Sequence, residues 1–385
     1  MSTHAFLPPS GAANWLQCAL WPTMVQRYPE REANPLALEG EAAHWVTQMQ
    51  LQGTPVAIDT QAPNGTAVTL EMLEGAQLVQ DDIRAQLGPD WQSRLFVEHP
   101  LQIPRVHAQN YGTPDYRAWG RLPDGRLKLS IWDYKFGYRL VEAFENWQLV
   151  DYVAGCMTEA QIDGLGEQNT VVDMRIIQPR SYHAAGSVRN WMVTASDLRT
   201  YWNRLEMAAE DATSEQPTAS PHPDVCDDCP GRHACQAEQR AAYIAADRGQ
   251  RGVIHDMPPE AMGMELRALK RAQGLLNARV TGLEAEVLAL KKAGKSVPLW
   301  ALESTPGRLA WTKPDDEVMA LGQMLGLDLA KPVEPITPTQ AKAAAKAAKL
   351  PESLIDPYAA RSSGALKLVY DDGSKARLTF SSSVA

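Results

Sequence analysis

The spacing of the cysteines constrains this chain most. Three of them, Cys226, Cys229 and Cys235, lie within ten residues in CDDCPGRHAC, and Cys18 stands alone near the start. Thiolates at this density usually hold a metal ion or an iron–sulfur cluster. The early cysteine and the late trio bracket the other chemistry-bearing residues of the chain, so we expect the segment between them to form one functional unit.

The trio needs a fourth ligand, and the sequence leaves its identity open. A zinc site would be completed locally by His222 or His233, whereas an iron–sulfur cluster would use the distant Cys18. Cys156 is a weaker candidate, because it follows Gly155 on the apolar side of a predicted helix, where a small buried residue fits. Free thiols with no metal remain a further alternative.

The composition indicates a globular chain. It has 385 residues, of which 44% are hydrophobic and 22% charged, and no apolar run is long enough to suggest a membrane span. The opening MSTHAFLPPSG lacks the pattern of a secretory signal, and the few cysteines do not form a disulfide scaffold, so we expect a reducing, cytoplasmic compartment. A net charge of −9 disfavours tight nonspecific duplex binding but does not address a local basic groove.

Hydrophobic periodicity predicts a mixture of helices and strands. Helices are expected over residues 10–50, 68–87, 142–160, 195–212 and 264–293. Extended segments are expected over residues 94–107, 116–120, 127–134 and 170–178, and the LPDG turn makes the second and third a hairpin. We therefore predict an α/β domain over residues 1–245, a long helix within 246–296 and a small C-terminal α/β region over 297–385 that ends in a hairpin at 366–380.

The long helix carries leucines at steps of seven, with valines between them. These positions are Leu269, Leu276, Leu283 and Leu290, with Val280 and Val287. Such a heptad seam packs on the protein core, on a second copy of the chain or on a partner. Lys342, Lys346 and Lys349 share one face of a further predicted helix, which adds a second candidate docking surface.

Two aspartates and a lysine suggest a catalytic site for a divalent cation. Asp133 and Lys135 end the second hairpin strand and project to the same side, and Asp115 precedes the first strand in YGTPD. Two carboxylates on neighbouring strands suit Mg²⁺ or Mn²⁺, which would polarise a phosphate and lower the pKa of a bound water. The lysine would orient the attacking water or stabilise the developing charge.

Three further residues accompany this set. His44, in the predicted first helical segment, either fills a core position or binds Mn²⁺ or Mg²⁺ through its imidazole. Gln148 and Tyr152 lie one helical turn apart just after the aspartate and lysine, so they share a face. From there they could contact a nucleic-acid backbone or the lysine.

The order of these motifs resembles that of a known superfamily. Gly40-x3-His44, then Asp115, then the Asp133-x-Lys135 pair, then Gln148-x3-Tyr152 is similar to the RecB-like branch of the PD-(D/E)XK nucleases. The early cysteine and late C-x2-C-x5-C resemble the iron–sulfur subgroup, the AddB-type and CRISPR-adaptation nucleases. The resemblance covers residues 8 to 240 and implies a nuclease core with a mixed central sheet flanked by helices.

The resemblance also implies roles for individual residues. His44, Asp115 and Asp133 would bind metal together with the Tyr134 carbonyl, Lys135 would be the catalytic lysine, and Gln148 and Tyr152 would contact substrate. Cys18, Cys226, Cys229 and Cys235 would hold a structural [4Fe–4S] cluster that fastens the ends of the domain. Gln48 and Ala19 depart from the pattern, because many relatives have glutamate and proline there.

We therefore expect a Mg²⁺- or Mn²⁺-dependent deoxyribonuclease, most simply an exonuclease. The whole layout is similar to that of phage and prophage proteins of this superfamily, which implies DNA processing in the host bacterial cytoplasm beside a strand-annealing or recombinase protein. The alternatives are an inactive iron–sulfur or zinc DNA-binding module, and a recombination-complex subunit docked through its C-terminal helices. Association with a second copy is left open.

Overall fold

The structure is a computed structural model that describes residues 5–29, 35–248 and 257–302. The elements described below all lie in one compact unit that contains Met1–Ser296. The predicted elements at 297–335, 339–349 and 366–380, with their lysine face, lie wholly or almost wholly outside the described residues. Where the chain is described, no helix is both long and apolar enough to cross a membrane.

A five-stranded mixed sheet forms the centre of an α/β fold. Its strands are β1 (Leu95–Val97), β4 (Tyr116–Arg121), β5 (Leu127–Tyr134), β6 (Thr170–Ile177) and β7 (Val188–Thr194), in the order β1-β4-β5-β6-β7. Only β5 and β6 run parallel, and the other neighbours are antiparallel. β2 (Leu101–Gln102) and β3 (Tyr111–Gly112) form a separate pair.

The predicted hairpin at 116–120 and 127–134 is confirmed, as is the strand at 170–178 within one residue. The extended segment at 94–107 is broken into two short strands, and only the first joins the main sheet. Glu98 explains the break, because its backbone has a left-handed φ of 45° that turns the chain away after β1.

Helices cover both faces of the sheet. α1 (Ala12–Gln17), α5 (Trp147–Glu159) and α7 (Arg199–Ala212) pack on one face, and α3 (Pro35–Leu51) and α4 (Leu70–Leu87) pack on the other. β5 supplies alternate side chains to the two cores, with Leu129 and Ile131 on one side and Trp132 and Tyr134 on the other. This period of two follows from the pleat of the strand.

Two helix boundaries differ from prediction for local reasons. The helical stretch predicted over 10–50 is interrupted after Gln17, and α2 (Trp21–Arg27) begins afresh with Pro22 in its first turn. The helix predicted over 142–160 begins only at Trp147, because the Asn146 side chain accepts a hydrogen bond from Leu149 N–H and caps it there.

The helix predicted over 195–212 begins as a 3-10 turn, Ala195–Leu198, capped by Thr194. Thr194 and Asp197 form a capping box, which satisfies backbone N–H groups at the start of the turn that leads into α7. Leu70–Leu87 agrees with the predicted helix at 68–87 and is capped by Thr69. The short α6 (Gly164–Gln168) leads into β6.

The segment that carries the three late cysteines, which we call the cysteine-bearing segment, begins with α8 (Pro223–Asp228). α9 (Gln236–Arg248) and the long α10 (Pro259–Lys292) follow it. α10 confirms the helix predicted over 264–293, and it packs against α8 and α9. The contact does not use the predicted heptad seam. The buried residues of α10 are Leu275, Ala278 and Gly282, which lie on a different face of the helix.

Candidate functional site

The sheet brings the two predicted catalytic aspartates together. Asp133 lies near the end of β5, and Asp115 directly precedes the antiparallel β4, whose Tyr116 pairs with Trp132. The backbone N–H of Tyr134 donates a hydrogen bond of 2.7 Å to Asp115 Oδ2. Strand pairing therefore makes neighbours of two residues that are distant in sequence. We call His44, Asp115, Asp133, Lys135 and Gln148 the carboxylate site.

Gln148 links the aspartate and the lysine of this site. Its Nε2 donates to Asp133 Oδ1 at 2.8 Å, and its Oε1 accepts from Lys135 Nζ at 3.1 Å. Lys135 Nζ also lies 3.0 Å from Asp133 Oδ2. The amide of Gln148 acts as donor and acceptor at once, so it holds the two charged groups in a fixed relation. The Asn146 cap starts α5 where Gln148 falls in the first turn.

His44 enters the site from α3. Its Nδ1 lies 3.7 Å from Asp115 Oδ1, and its ring is tilted against that of Tyr134 with centroids 5.3 Å apart. The side chain keeps 29% of its surface exposed, so it is not a fully packed core histidine. The structure thus places an imidazole nitrogen beside a carboxylate oxygen at the open side of the site.

Burial and charge act in opposite directions on the ionisable groups. Burial raises the pKa of Asp115 and Asp133 raises it further, whereas His44, Lys135 and the Tyr134 N–H oppose this rise. Burial would lower the pKa of Lys135, but the neighbouring Asp133 and Asp115 more than offset it, so the net shift is upward. The lysine is therefore held in its charged form by the aspartates that it faces.

Glu98 lies beside the carboxylate site, and sequence reasoning missed it. Its backbone N–H donates to Asp115 O at 2.8 Å, which extends the β1–β4 pairing and sets Glu98 opposite Asp115. Burial raises the pKa of Glu98, His44 lowers it and Asp115 raises it. A lone acidic residue ending an apolar stretch, in FVEHP, was the available signal.

Tyr152 lies on the same side of α5 as Gln148, as predicted, but it is only 5% exposed. Its hydroxyl donates to the carbonyl of Thr113 at 3.1 Å, in the loop that carries Asp115. This contact makes it a support for the aspartate loop. Its predicted contact with substrate, and the predicted metal contact of the Tyr134 carbonyl, stay predictions.

The four predicted cluster cysteines meet in space. Cys18, Cys226, Cys229 and Cys235 line one small, enclosed cavity, with Trp21 and Val225 among its apolar walls. We call these four residues the cysteine centre. Burial raises the pKa of Cys18, that of Cys226 to about 12 and that of Cys229 to about 11, and neighbouring cysteines contribute to each rise. Ser220 N–H donates to Cys18 Sγ at 3.5 Å.

The other candidate ligands lie elsewhere. His222 and His233 do not line the cavity, and their ring nitrogens face Asp224 at 3.5 Å and Glu286 at 3.8 Å. Cys156 is fully buried in the core, where Arg117 Nη1 donates to its sulfur at 3.7 Å. The geometry therefore favours Cys18 as the fourth member of the group.

Glu238 is a second residue that sequence reasoning missed. It lines the cysteine cavity and is 1% exposed, and neither of its carboxylate oxygens has a hydrogen-bond partner among the described residues. The Arg279 guanidinium of α10 lies 3.7 Å away. Burial raises the pKa of Glu238, and Arg279 and Arg232 oppose the rise.

Neither site is a finished metal cage in this conformation. Within residues 5–29, 35–248 and 257–302, no three His, Cys, Asp or Glu side chains are arranged so that they could hold a metal ion as they stand. At the carboxylate site, Lys135 and Gln148 already occupy the oxygens of Asp133. A cation would have to replace at least one of these contacts.

Two comparisons with other proteins accompany this geometry. A family described as "Protein of unknown function (DUF2800)" matches residues 4–376, which is most of the chain. A solved structure from Eubacterium rectale, described as a "Putative exonuclease", is similar at 10% identity and a TM-score of 0.32. The match covers 68% of this chain and 92% of that one. At these values the likeness carries no argument about activity.

Proposed function

We propose that this chain, which belongs to the DUF2800 family, is a divalent-metal-dependent DNA nuclease. The observation that carries the proposal is the convergence of Asp115, Asp133 and Lys135 where β4 begins and β5 ends, with His44 beside them. Two largely buried aspartates beside a charged lysine suit phosphodiester hydrolysis, in which a cation and a positive side chain stabilise the developing charge.

The donor set fits Mg²⁺ or Mn²⁺. Asp115 and Asp133 would supply carboxylate oxygens, His44 an imidazole nitrogen and Tyr134 its backbone carbonyl. A bound cation would polarise the scissile phosphate and lower the pKa of a water molecule. Asp133 would exchange its contacts with Lys135 and Gln148 for the cation, which would free the ammonium group to face the phosphate.

Lys135 and Gln148 would then act on the substrate side. Lys135 is held charged and would orient the attacking water or stabilise the charge on the phosphate oxygens. Gln148, released from Asp133, would keep Lys135 in place through the hydrogen bond from Nζ. Tyr152 would fix the Asp115 loop through Thr113.

We further propose that the cysteine centre holds a structural [4Fe–4S] cluster, with Zn²⁺ as the alternative. Four cysteines around one enclosed cavity fit either group, because both take four thiolate ligands. The group would tie Cys18, at the end of α1, to the segment after α7. A reducing cytoplasm would keep these thiols available.

The cellular role that we propose is DNA processing. The motif order supports membership of the RecB-like branch of the PD-(D/E)XK nucleases, with AddB-type cysteines, in a phage or prophage setting. There the chain would act on DNA beside a strand-annealing or recombinase protein. The activity proposed first does not depend on this setting.

Cleavage assays test the nuclease proposal directly. We expect Asp133→Asn to lower Mn²⁺-dependent cleavage of linear DNA by at least about 10²-fold, since it removes an anionic ligand at the reacting centre. Asp81→Asn, at an exposed position on α4, is the matched control and should cleave normally. End-labelled linear and closed circular DNA separate exonuclease from endonuclease action.

Cleavage by Asp133→Asn at the wild-type rate would show that the site is wrongly assigned. Wild-type protein that binds DNA equally with and without Mn²⁺, and never cleaves it, would support the inactive binding module instead. Anaerobic purification with metal analysis tests the cysteine centre separately: about four irons per chain indicate the cluster, and about one zinc per chain the alternative.

A further inference from the structure

The long helix α10 has two faces with different chemistry. One face contacts the cysteine-bearing segment through small residues: a Cβ added to Gly274 would lie 2.6 Å from Pro223, and one added to Gly282 would lie 2.6 Å from Arg232. Arg279 on this side donates to the carbonyls of Arg232 and His233. The glycines allow this close approach, so the face is specialised for docking within the chain.

The other face is the leucine and valine seam. Large apolar side chains on it remain exposed, with 58% of Leu269, 51% of Val280 and 42% of Leu283 accessible. Single exposed apolar residues need no explanation, but a set of them on one side of a helix marks an interaction surface. Leu276 and Leu290 of the same seam are partly buried.

The seam follows a heptad over four repeats. With the leucines placed at position d, position a is filled mostly by branched residues and position d by leucine throughout. The a residues are Leu266, Gln273, Val280 and Val287, and the d residues are Leu269, Leu276, Leu283 and Leu290. Valine at a with leucine at d favours a parallel two-stranded coiled coil, and one polar residue at a fixes its register.

The flanking charges fit a second copy of the same helix. In a parallel pair, each g residue faces the e residue five positions later on the other helix. The charged pairs formed in this way are Glu265 with Lys270, Arg279 with Glu284, and Glu286 with Lys291, and every one joins opposite charges. Opposite charges therefore face each other when this helix is paired with an identical copy.

The two faces can be used together. The residues that contact the cysteine-bearing segment, Gly274, Leu275, Ala278 and Gly282, occupy b, c and f positions, which lie away from the a and d seam. Two g residues, Arg279 and Glu286, also contact this segment, so among the charged pairs only that of Glu265 with Lys270 is independent of docking. We propose that α10 forms a parallel, two-stranded coiled coil with α10 of a second copy of this chain.

Molar mass measured by light scattering on the full-length protein, in its metal-loaded form, tests the interface. We expect twice the 42.3 kDa chain mass for wild type and one chain mass for the double variant Leu269→Asp, Leu283→Asp. Leu288→Asp is the matched control, because Leu288 is 45% exposed on the same helix but lies at position b. It should remain a dimer. Circular dichroism and the melting temperature show whether the variants fold.

A charge exchange tests the register. Glu265→Lys places a lysine opposite Lys270 of the other helix at both symmetric positions. This repulsion should weaken the dimer about tenfold. Adding Lys270→Glu restores opposite charges and should restore the wild-type dissociation constant. A monomeric wild type at micromolar concentration, a dimer that survives the double aspartate variant, or a charge exchange without rescue would each overturn the proposal.

Discussion

The carboxylate site and the cysteine centre are stabilised in different ways. At the first, protein groups already bind the functional atoms: Tyr134 N–H contacts Asp115, and Gln148 and Lys135 contact Asp133. At the second, four largely buried thiols surround a cavity, and Glu238 beside them has no hydrogen-bond partner among the described residues. At the first site the charged groups hold one another at contact distance, whereas the carboxylate of Glu238 at the second has only the Arg279 guanidinium, 3.7 Å away.

This difference suggests that the cysteine centre matters mainly for stability and the carboxylate site mainly for the reaction. A buried polar group without a partner costs free energy, so the cysteine centre gains most from whatever occupies it. The segment around it is also the surface on which α10 docks, through Pro223 and Arg232. Substitutions at the cysteine centre should therefore lower the stability of the fold. Substitutions at the carboxylate site should mainly lower the rate of the reaction.

The largest expected effect is that of Cys226→Ser. If the cysteine centre holds the metal group that we propose, losing one thiolate should release it and lower the melting temperature by about 10 °C, the equivalent of several kcal/mol for a domain of this size. Metal analysis and calorimetry measure both quantities, and hydrogen exchange in α10 should rise because its docking surface is loosened.

Cys156→Ala is the control for this change, because Cys156 is buried in the core and does not line the cavity. It should retain the full metal content. A Cys226→Ser protein with unchanged metal content and melting temperature would show that the cysteine centre, like the carboxylate site, is held by protein contacts alone.

Much of the fold was predictable because its signals are local. The alternation of apolar residues around LPDG predicts the β4–β5 hairpin, and this hairpin alone brings Asp115 close to Asp133 and Lys135. The start of α5 was misplaced because Ala143 and Phe144 continue the apolar spacing of the helix, while the Asn146 cap is a single residue. Periodicity outweighed the cap in the prediction.

The missed residues depend on contacts that only the tertiary structure creates. Glu98 lies beside the site through cross-strand pairing with Asp115, and Glu238 becomes buried only because α10 packs beside it. The docking face of α10 escaped notice because Gly274, Ala278 and Gly282 add little to a hydrophobic pattern. Their small size is what allows the contact.

The next effect concerns a buried aspartate on α5, the helix that also carries Gln148. Asp151 on α5 is fully buried, burial raises its pKa to about 8, and its main partner is the Asn110 amide at 2.8 Å. The folded pKa lies above the unfolded one, so this group's stabilising contribution is complete below about pH 4 and is lost as the pH rises through about 8. Wild-type stability should fall across that window.

Asp151→Asn should flatten this fall, because the amide stays neutral and can still accept the hydrogen bond from Asn110. The free energy of unfolding, measured in denaturant from pH 5 to 9, gives the difference between wild type and variant. That difference should grow with pH and reach several kcal/mol. Asp90→Asn, at an exposed position, should follow the wild-type curve. Parallel curves for Asp151→Asn and wild type would refute a buried neutral aspartate.

The smallest effect tests whether Glu98 belongs to the carboxylate site. Its strand pairing with Asp115 sets a third carboxyl group near His44, so Glu98→Gln should weaken Mn²⁺ binding about tenfold by removing one nearby negative charge. Titration calorimetry on the purified wild-type and variant proteins measures this affinity without relying on cleavage. Glu74→Gln, at an exposed position on α4, is the matched control. Equal Mn²⁺ affinities for Glu98→Gln and Glu74→Gln would show that Glu98 does not contribute to binding, which would leave Asp115 and Asp133 as the proposed carboxylate ligands. A weaker affinity for Glu98→Gln alone would mean that this site, although held by protein contacts, also depends on a residue that only the sheet brings to it.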